Sequence, residues 1–157
     1  MENLPAAILA LPTRTFAKGE TLLKEGDTSA EVYFLLSGTV EVRKDGVAIT
    51  RVRERGAMFG EMSVLLECPY TATVVSATDV ECGVAAEPES FLTENPDVTL
   101  YVCKTLARRL DSLNRYLVDV KHQLRDQEGH VGMVDEVLEA LMNRHPRQIK
   151  PRQDAGE

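Results

Sequence analysis

The sequence predicts a mainly β domain with α-helices, in which an antiparallel, jelly-roll-like β-roll is followed by a long C-terminal helix. Two observations predict this class. Between residues 15 and 85, short β-type runs are separated by glycine turns, a spacing typical of small antiparallel rolls and barrels. Beyond Pro88 the apolar residues recur with a helical period instead. The length of 157 residues fits one such domain with helical attachments.

The strands of the roll are indicated by β-branched and aromatic runs. Val32–Leu36 is typical of a buried strand, and the alternating run Thr39–Arg43 follows it after a glycine turn. The pair Asp45-Gly46 is a hairpin signal, because both positions of such a turn favour a left-handed backbone. It leads into a further strand, Val47–Thr50.

The C-terminal part begins with Pro96, which suits the first turn of a helix. Further along, six apolar residues follow a 4-3-4-3-4 spacing, the a/d seam of a coiled coil. A single amphipathic helix packed on its own roll also needs an apolar stripe. A parallel dimer is favoured, because the seam is longer than a small roll can cover. The seam residues are Leu106, Leu110, Leu113, Leu117, Val120 and Leu124.

Two glycines, Gly129 and Gly132, interrupt the helical pattern and predict a bend or a break between two helices. The polar, proline-containing end of the chain is predicted to be disordered. The predicted segments are an N-terminal helix at 1–12, the roll at 13–95, the dimerisation helices at 96–128, a short helix at 129–145 and a disordered tail at 146–157.

Composition narrows the class of function. The net charge of −7 argues against a nucleic-acid surface, which needs clustered Lys and Arg. The sequence has no apolar run long enough to span a bilayer and no evident secretory signal, so a cytoplasmic protein without membrane contact is expected. The three cysteines, Cys68, Cys82 and Cys103, are widely spaced and predict neither a zinc site nor an iron–sulfur cluster.

The segment Phe59–Val75 carries the most information about function. It contains Phe-Gly-Glu, a short apolar helix, a loop ending in a proline, and Thr-Ala-Thr-Val. This segment resembles the phosphate-binding cassette of the cyclic nucleotide-binding domain family. Phe16–Asp27, Val32–Val42 and the helical segments from Asn95 resemble further family blocks in the same order, so the resemblance covers roughly residues 16–124.

The resemblance implies a ligand site at the cassette. Gly60 brings the backbone close to a ligand, and the free N–H groups at the start of the following helix suit a phosphate. Glu61 corresponds to the family's acceptor for the ribose 2′-hydroxyl, while Met62, Ser63 and Thr71 correspond to contacts with the phosphate and the base. The implied ligand is cyclic AMP, cyclic GMP or another nucleotide.

Tyr70 stands where the family has its phosphate-binding arginine. Loss of that charge predicts roughly tenfold to a hundredfold weaker binding of a cyclic phosphate. Three explanations stay open: the pocket has lost its ligand, Tyr70 itself contacts a different ligand, or another cation substitutes. The candidate cations are Arg51, Arg53 and Arg55, for which a solvated strand and loop is the competing interpretation.

The resemblance also implies a lid formed by the helix after the roll, which places Arg109 and Asn114 at the capping turn over the base. Only 28 residues follow Gly129, too few for a DNA-binding domain, so direct DNA binding is not expected. No catalytic constellation is visible, and the three histidines all lie beyond the roll, so an enzyme is not expected.

The sequence therefore predicts a stand-alone regulatory module that senses a small anionic ligand and signals through a homodimeric helix to an effector protein that it does not name. The alternative is a ligand-free interaction module that kept the fold.

Overall fold

The computed structural model describes residues 3–124 and 130–143. The chain divides into two compact units, Met1–Val102 and Cys103–Glu157. The first unit contains all the strands, and the second contains most of the long helix and a shorter one. The predicted tail 146–157 and Gly129 lie outside the described residues.

The first unit is built from two antiparallel four-stranded sheets, which confirms the predicted β-roll. The first sheet has the order β1-β8-β3-β6 and the second β2-β7-β4-β5. Strands adjacent in the chain are thus distributed between both sheets, as expected for a roll. The strands are β1 Thr13–Phe16, β2 Thr21–Leu23, β3 Val32–Ser37, β4 Val40–Lys44, β5 Val47–Val52, β6 Met58–Phe59, β7 Thr73–Ser76 and β8 Val80–Ala85.

The hairpin between β4 and β5 is closed by the predicted Asp-Gly turn. Asp45 and Gly46 have φ values of 50° and 77°, and Lys44 pairs with Val47 across the turn. Both central residues are therefore left-handed, as a two-residue hairpin turn requires. The turn fixes the register of β5, which is an edge strand of its sheet.

The core of the roll lies between the sheets and consists of inward-facing apolar side chains. Phe34 points the other way, is fully buried, and meets Phe91 edge to face with ring centroids 6.3 Å apart. Burial of each such side chain contributes about 1.5–3 kcal/mol. The main core cluster comprises Leu22, Leu23, Tyr33, Leu35, Val40, Phe59, Tyr70, Val74, Val80, Cys82 and Val84.

Five helices complete the described structure: α1 Ala6–Leu9, α2 Glu61–Leu66, α3 Pro88–Glu94, α4 Pro96–Gln123 and α5 His130–Met142. Pro96 begins α4, as its missing N–H predicts. Gly132 lies inside α5, and an ion pair joins Lys121 of α4 to Asp135 of α5. Within residues 3–124 and 130–143, no helix combines the length and apolarity needed to cross a membrane.

Candidate functional site

The cassette begins with a left-handed glycine between β6 and α2. Gly60 has φ 88° and ψ −3°, and it precedes the first residue of α2. A Cβ at this position would lie 2.6 Å from the main-chain oxygen of Glu31 and 3.1 Å from Cε1 of Tyr70. Both the backbone angle and the space therefore require glycine here.

The short helix α2 presents its residues to different surroundings. Glu61 and Ser63 are buried, with 5% and 8% of their surface exposed, whereas Met62 is 44% exposed. The Ser63 hydroxyl donates to the main-chain oxygen of Cys68 at 2.5 Å, and the Cys68 N–H donates to the Ser63 oxygen at 3.1 Å. These two bonds hold the C-terminal end of α2 against the loop at Cys68. The Ser63 hydroxyl oxygen, which acts as a donor here, can still accept a further hydrogen bond.

Tyr70, at the position of the missing arginine, is a buried member of the core. Only 4% of its surface is exposed, and its hydroxyl donates to the Glu31 main-chain oxygen at 2.8 Å. The hydroxyl of Ser29 donates to Tyr70 at 3.4 Å. Burial raises the pKa of the phenol, so the side chain is neutral at physiological pH. The ring therefore fills protein interior, and its hydroxyl is already engaged.

Glu31 connects Tyr70 to a cation. Its carboxylate accepts two hydrogen bonds from the Arg14 guanidinium, at 2.9 and 3.2 Å, and one from the Tyr33 hydroxyl at 2.5 Å. The Arg14 bonds, followed by the Tyr33 bond, lower the pKa of Glu31. The charge of Arg14 is thus balanced by the carboxylate of Glu31, the same residue whose main-chain oxygen accepts the hydrogen bond from Tyr70.

Thr71 lies beside a cation that the sequence reasoning missed. The Lys44 ammonium donates to the Thr71 main-chain oxygen at 2.6 Å and to the Glu25 carboxylate at 3.3 Å. Thr71 precedes β7, which begins at Thr73. The approach of Lys44 to the cassette follows from the pairing of Arg43 with Thr73 in adjacent strands.

Of the upstream arginines, Arg51 lies on β5 and pairs with Glu41 of β4 at 3.3 Å. Its side chain is 71% exposed. This is the solvated-strand arrangement that competed with a role in the cassette.

Arg109 and Asn114 belong to the second unit, and their predicted contact with a ligand stays a prediction. Arg109 is exposed on α4, and Asn114 is half-buried. The Oδ1 atom of Asn114 is buried and has no hydrogen-bond partner among the residues that the structure describes.

The predicted seam follows one side of the same helix. Leu110 and Leu113 are each 43% exposed in the single chain. Leu106, Leu117, Val120 and Leu124 are half-buried.

No three His, Cys, Asp or Glu side chains within the described part of the chain are grouped closely enough to hold a metal ion. The polar side chains that the cassette buries are the carboxylate of Glu61 and the hydroxyl of Ser63.

The first unit is thus a two-sheet roll in which a left-handed glycine precedes a short helix. Residues 13–92 match the sequence profile described as the cyclic nucleotide-binding domain. The chain belongs to the cyclic nucleotide-binding domain family.

Two curated relatives and one solved structure illustrate the similarity. The Pycsar effector protein XpPycTIR of Xanthomonas perforans is 32% identical over 114 residues, covering 68% of this chain and 36% of the relative. A CRP-like cAMP-activated global transcriptional regulator of Mycobacterium tuberculosis is 28% identical over 127 residues, covering 74% of this chain and 56% of the relative. The crystal structure of the Thermus thermophilus catabolite activator protein superposes with a TM-score of 0.59 at 24% identity, covering 79% of this chain and 67% of that one.

The Xanthomonas relative is named as an effector protein and the mycobacterial relative as a transcriptional regulator. The chain spans about a third of the Xanthomonas protein and about half of the mycobacterial one. The structural match supports the fold.

Proposed function

We propose that this chain is a regulatory module that senses a small anionic ligand, in the simplest case a nucleotide, at the cassette. The observation that carries the proposal is the backbone at Gly60. Gly60 adopts a left-handed conformation that other residues rarely adopt. It directly precedes α2, whose first residue is the buried Glu61. In the family, this arrangement aims main-chain N–H groups at a phosphate and a carboxylate at a ribose hydroxyl.

The charge of such a ligand has to be balanced without the family arginine. The start of α2 supplies partial positive charge, and Lys44 lies within 2.6 Å of the main chain of Thr71. Lys44 shares its charge with Glu25, so it compensates a phosphate less well than a bidentate arginine. We expect affinity for cyclic AMP or cyclic GMP to be about tenfold to a hundredfold below that of an arginine-containing cassette.

We propose that the protein passes the effect of ligand binding to other proteins through a homodimer formed by α4. Two seam residues, Leu110 and Leu113, remain 43% exposed on a helix of 28 residues. Apolar residues at a and d positions of such a helix are stabilised by knobs-into-holes packing with a second copy. A ligand that changes the geometry of the roll can then change the geometry of the paired helices. The dimer would in turn act on an effector protein.

Sensing is tested by measuring the thermal unfolding midpoint with and without cyclic AMP, cyclic GMP and cyclic di-GMP. A ligand at about 100 times its Kd stabilises the folded state by about 2.7 kcal/mol, which raises the midpoint by several degrees. Glu61→Gln keeps the shape of the side chain and is expected to abolish the rise. Glu54→Gln, on an exposed loop, is the matched control and is expected to retain it.

One observation favours a second candidate, a ligand-free interaction module. The Tyr70 hydroxyl is engaged by Glu31 and the ring is buried, so the position of the lost arginine contributes to core packing. If none of the three nucleotides moves the midpoint while the α4 dimer forms, this second function is favoured.

A further inference from the structure

A cleft of about 570 Å³ is lined by residues of α2 and of the start of α3. Ser63 and Val64 of α2 form one wall, and the N-terminal end of α3 with Pro88 forms another. Ala30 and Pro69 add apolar surface. All of these residues belong to the first unit.

The charge of the cleft has one sign. Glu67, Glu87 and Glu89 line it and are exposed, and none of its lining residues is Lys or Arg. We call this surface the acidic cleft.

The solvent-facing side of α2 is apolar. Met62, Leu65 and Leu66 are 44%, 49% and 63% exposed, respectively. Spacings of three and four residues place them on one face of the helix, next to the face that Ser63 and Val64 turn toward the cleft. We call these three residues the apolar ridge. Single exposed apolar side chains are common on protein surfaces, whereas adjacent ones are typical of interaction sites.

We propose that the apolar ridge and the acidic cleft together form a docking surface for a basic amphipathic helix of a partner protein. Leucine-like side chains of that helix would cover the ridge, and its Lys or Arg side chains would enter the cleft beside the three glutamates. Charge complementarity selects this occupant, because an acidic or neutral helix would leave the glutamates unpaired or repelled.

The surface adjoins the cassette through α2. Ser63 is both a cassette residue and a wall of the cleft, and its hydroxyl holds the Cys68 main chain. A ligand bound at the cassette would therefore alter the partner's affinity, and the partner would alter the ligand's affinity by the same factor. The docking surface does not depend on the proposed ligand, and the two can be tested separately.

The test is a fluorescence anisotropy titration with a labelled peptide of about 18 residues, long enough for five helical turns, that repeats leucine and lysine at amphipathic spacing. The same peptide with glutamate in place of lysine serves as the mirror probe. We expect the lysine peptide to bind and the glutamate peptide not to bind. We expect the protein variant E67Q/E87Q/E89Q to bind the lysine peptide about tenfold more weakly.

The matched control is the variant E54Q/D119N/E136Q, which removes the same number of charges from exposed positions outside the cleft. It should change the affinity less than about twofold. Equal weakening by both triple variants would overturn the proposal, since attraction would then follow net charge alone. Failure of the lysine peptide to bind, or equal binding of both peptides, would also overturn it.

A second variant, L65S/L66S, changes exposed side chains only and keeps the proposal testable if the glutamine variant does not fold. It should lower the affinity of the protein for the lysine peptide by at least about fivefold. An unchanged affinity would contradict the role of the ridge. Self-association of the unmodified protein that is lost in L65S/L66S would identify a second copy as the occupant, which would also overturn the proposal.

Discussion

Replacement of Tyr70 by phenylalanine isolates what the residue does at the position of the family arginine. The change removes one hydroxyl and leaves the ring of a residue that is only 4% exposed. The lost bond to the Glu31 oxygen is 2.8 Å long, well within the normal range. A buried hydrogen bond makes a net contribution of about 0.5–1.5 kcal/mol to the free energy of unfolding, and leaving the Glu31 carbonyl without a partner adds to the loss. We expect Tyr70→Phe to lower the free energy of unfolding by about 1–2 kcal/mol.

The assay is urea unfolding followed by far-UV circular dichroism, with the slope of the transition unchanged and its midpoint lowered. Ser29→Ala is the control, because its hydroxyl reaches Tyr70 at 3.4 Å, near the limit of a hydrogen bond. It should cost no more than about 0.5 kcal/mol. If Tyr70→Phe is as stable as the unmodified protein, the hydroxyl does not hold Glu31, and Tyr70 is instead available to a ligand.

Three further predictions concern the cassette, the core and the helix. Gly60→Ala should destabilise the protein by at least about 2 kcal/mol in the same urea assay, because the left-handed backbone and the Glu31 oxygen both oppose a Cβ; a smaller effect would mean that the cassette backbone is relaxed. Burial raises the pKa of the Cys82 thiol to about 11, so the unfolded chain loses this proton first and stability should fall as pH rises from about 9 to about 11. Cys82→Ala should flatten that fall, and an identical pH profile would contradict the burial of the thiol. Leu113→Lys should convert a dimer to a monomer by light scattering at micromolar concentration, whereas a monomeric unmodified protein would rule out the dimer.

The elements that local chemistry determines could be predicted from the sequence. The Asp45-Gly46 turn was predictable because few residue pairs accept two successive left-handed positions, and both are left-handed here. Pro96 marked the start of α4 because a helix does not use the N–H of its first residue. The sheet order was accessible only through the family resemblance, because each strand pairs mostly with partners distant in the chain.

The orientation of individual side chains at the cassette could not be predicted. The sequence left open whether Tyr70, at the position of the family arginine, itself contacts a ligand, and that contact stays a prediction. The structure buries Tyr70 in the main core cluster, which also contains Leu23, because burial of an aromatic ring is more favourable than its exposure to solvent. The position of Lys44 beside Thr71 was missed for a related reason. Lys44 and Thr71 are 27 residues apart in the chain, and their contact depends on the register between β4 and β7, which no local pattern encodes.

Titration calorimetry of the purified protein with cyclic AMP, cyclic GMP and cyclic di-GMP, in parallel with a Tyr70→Arg variant, measures directly whether the chain binds a nucleotide. We expect saturable heat for the unmodified protein with at least one nucleotide. We also expect about tenfold to a hundredfold tighter binding of a cyclic mononucleotide by the variant, once the arginine leaves the core to reach the phosphate. No heat from the unmodified protein with any of the three, while the variant binds, would contradict nucleotide sensing and favour the ligand-free module.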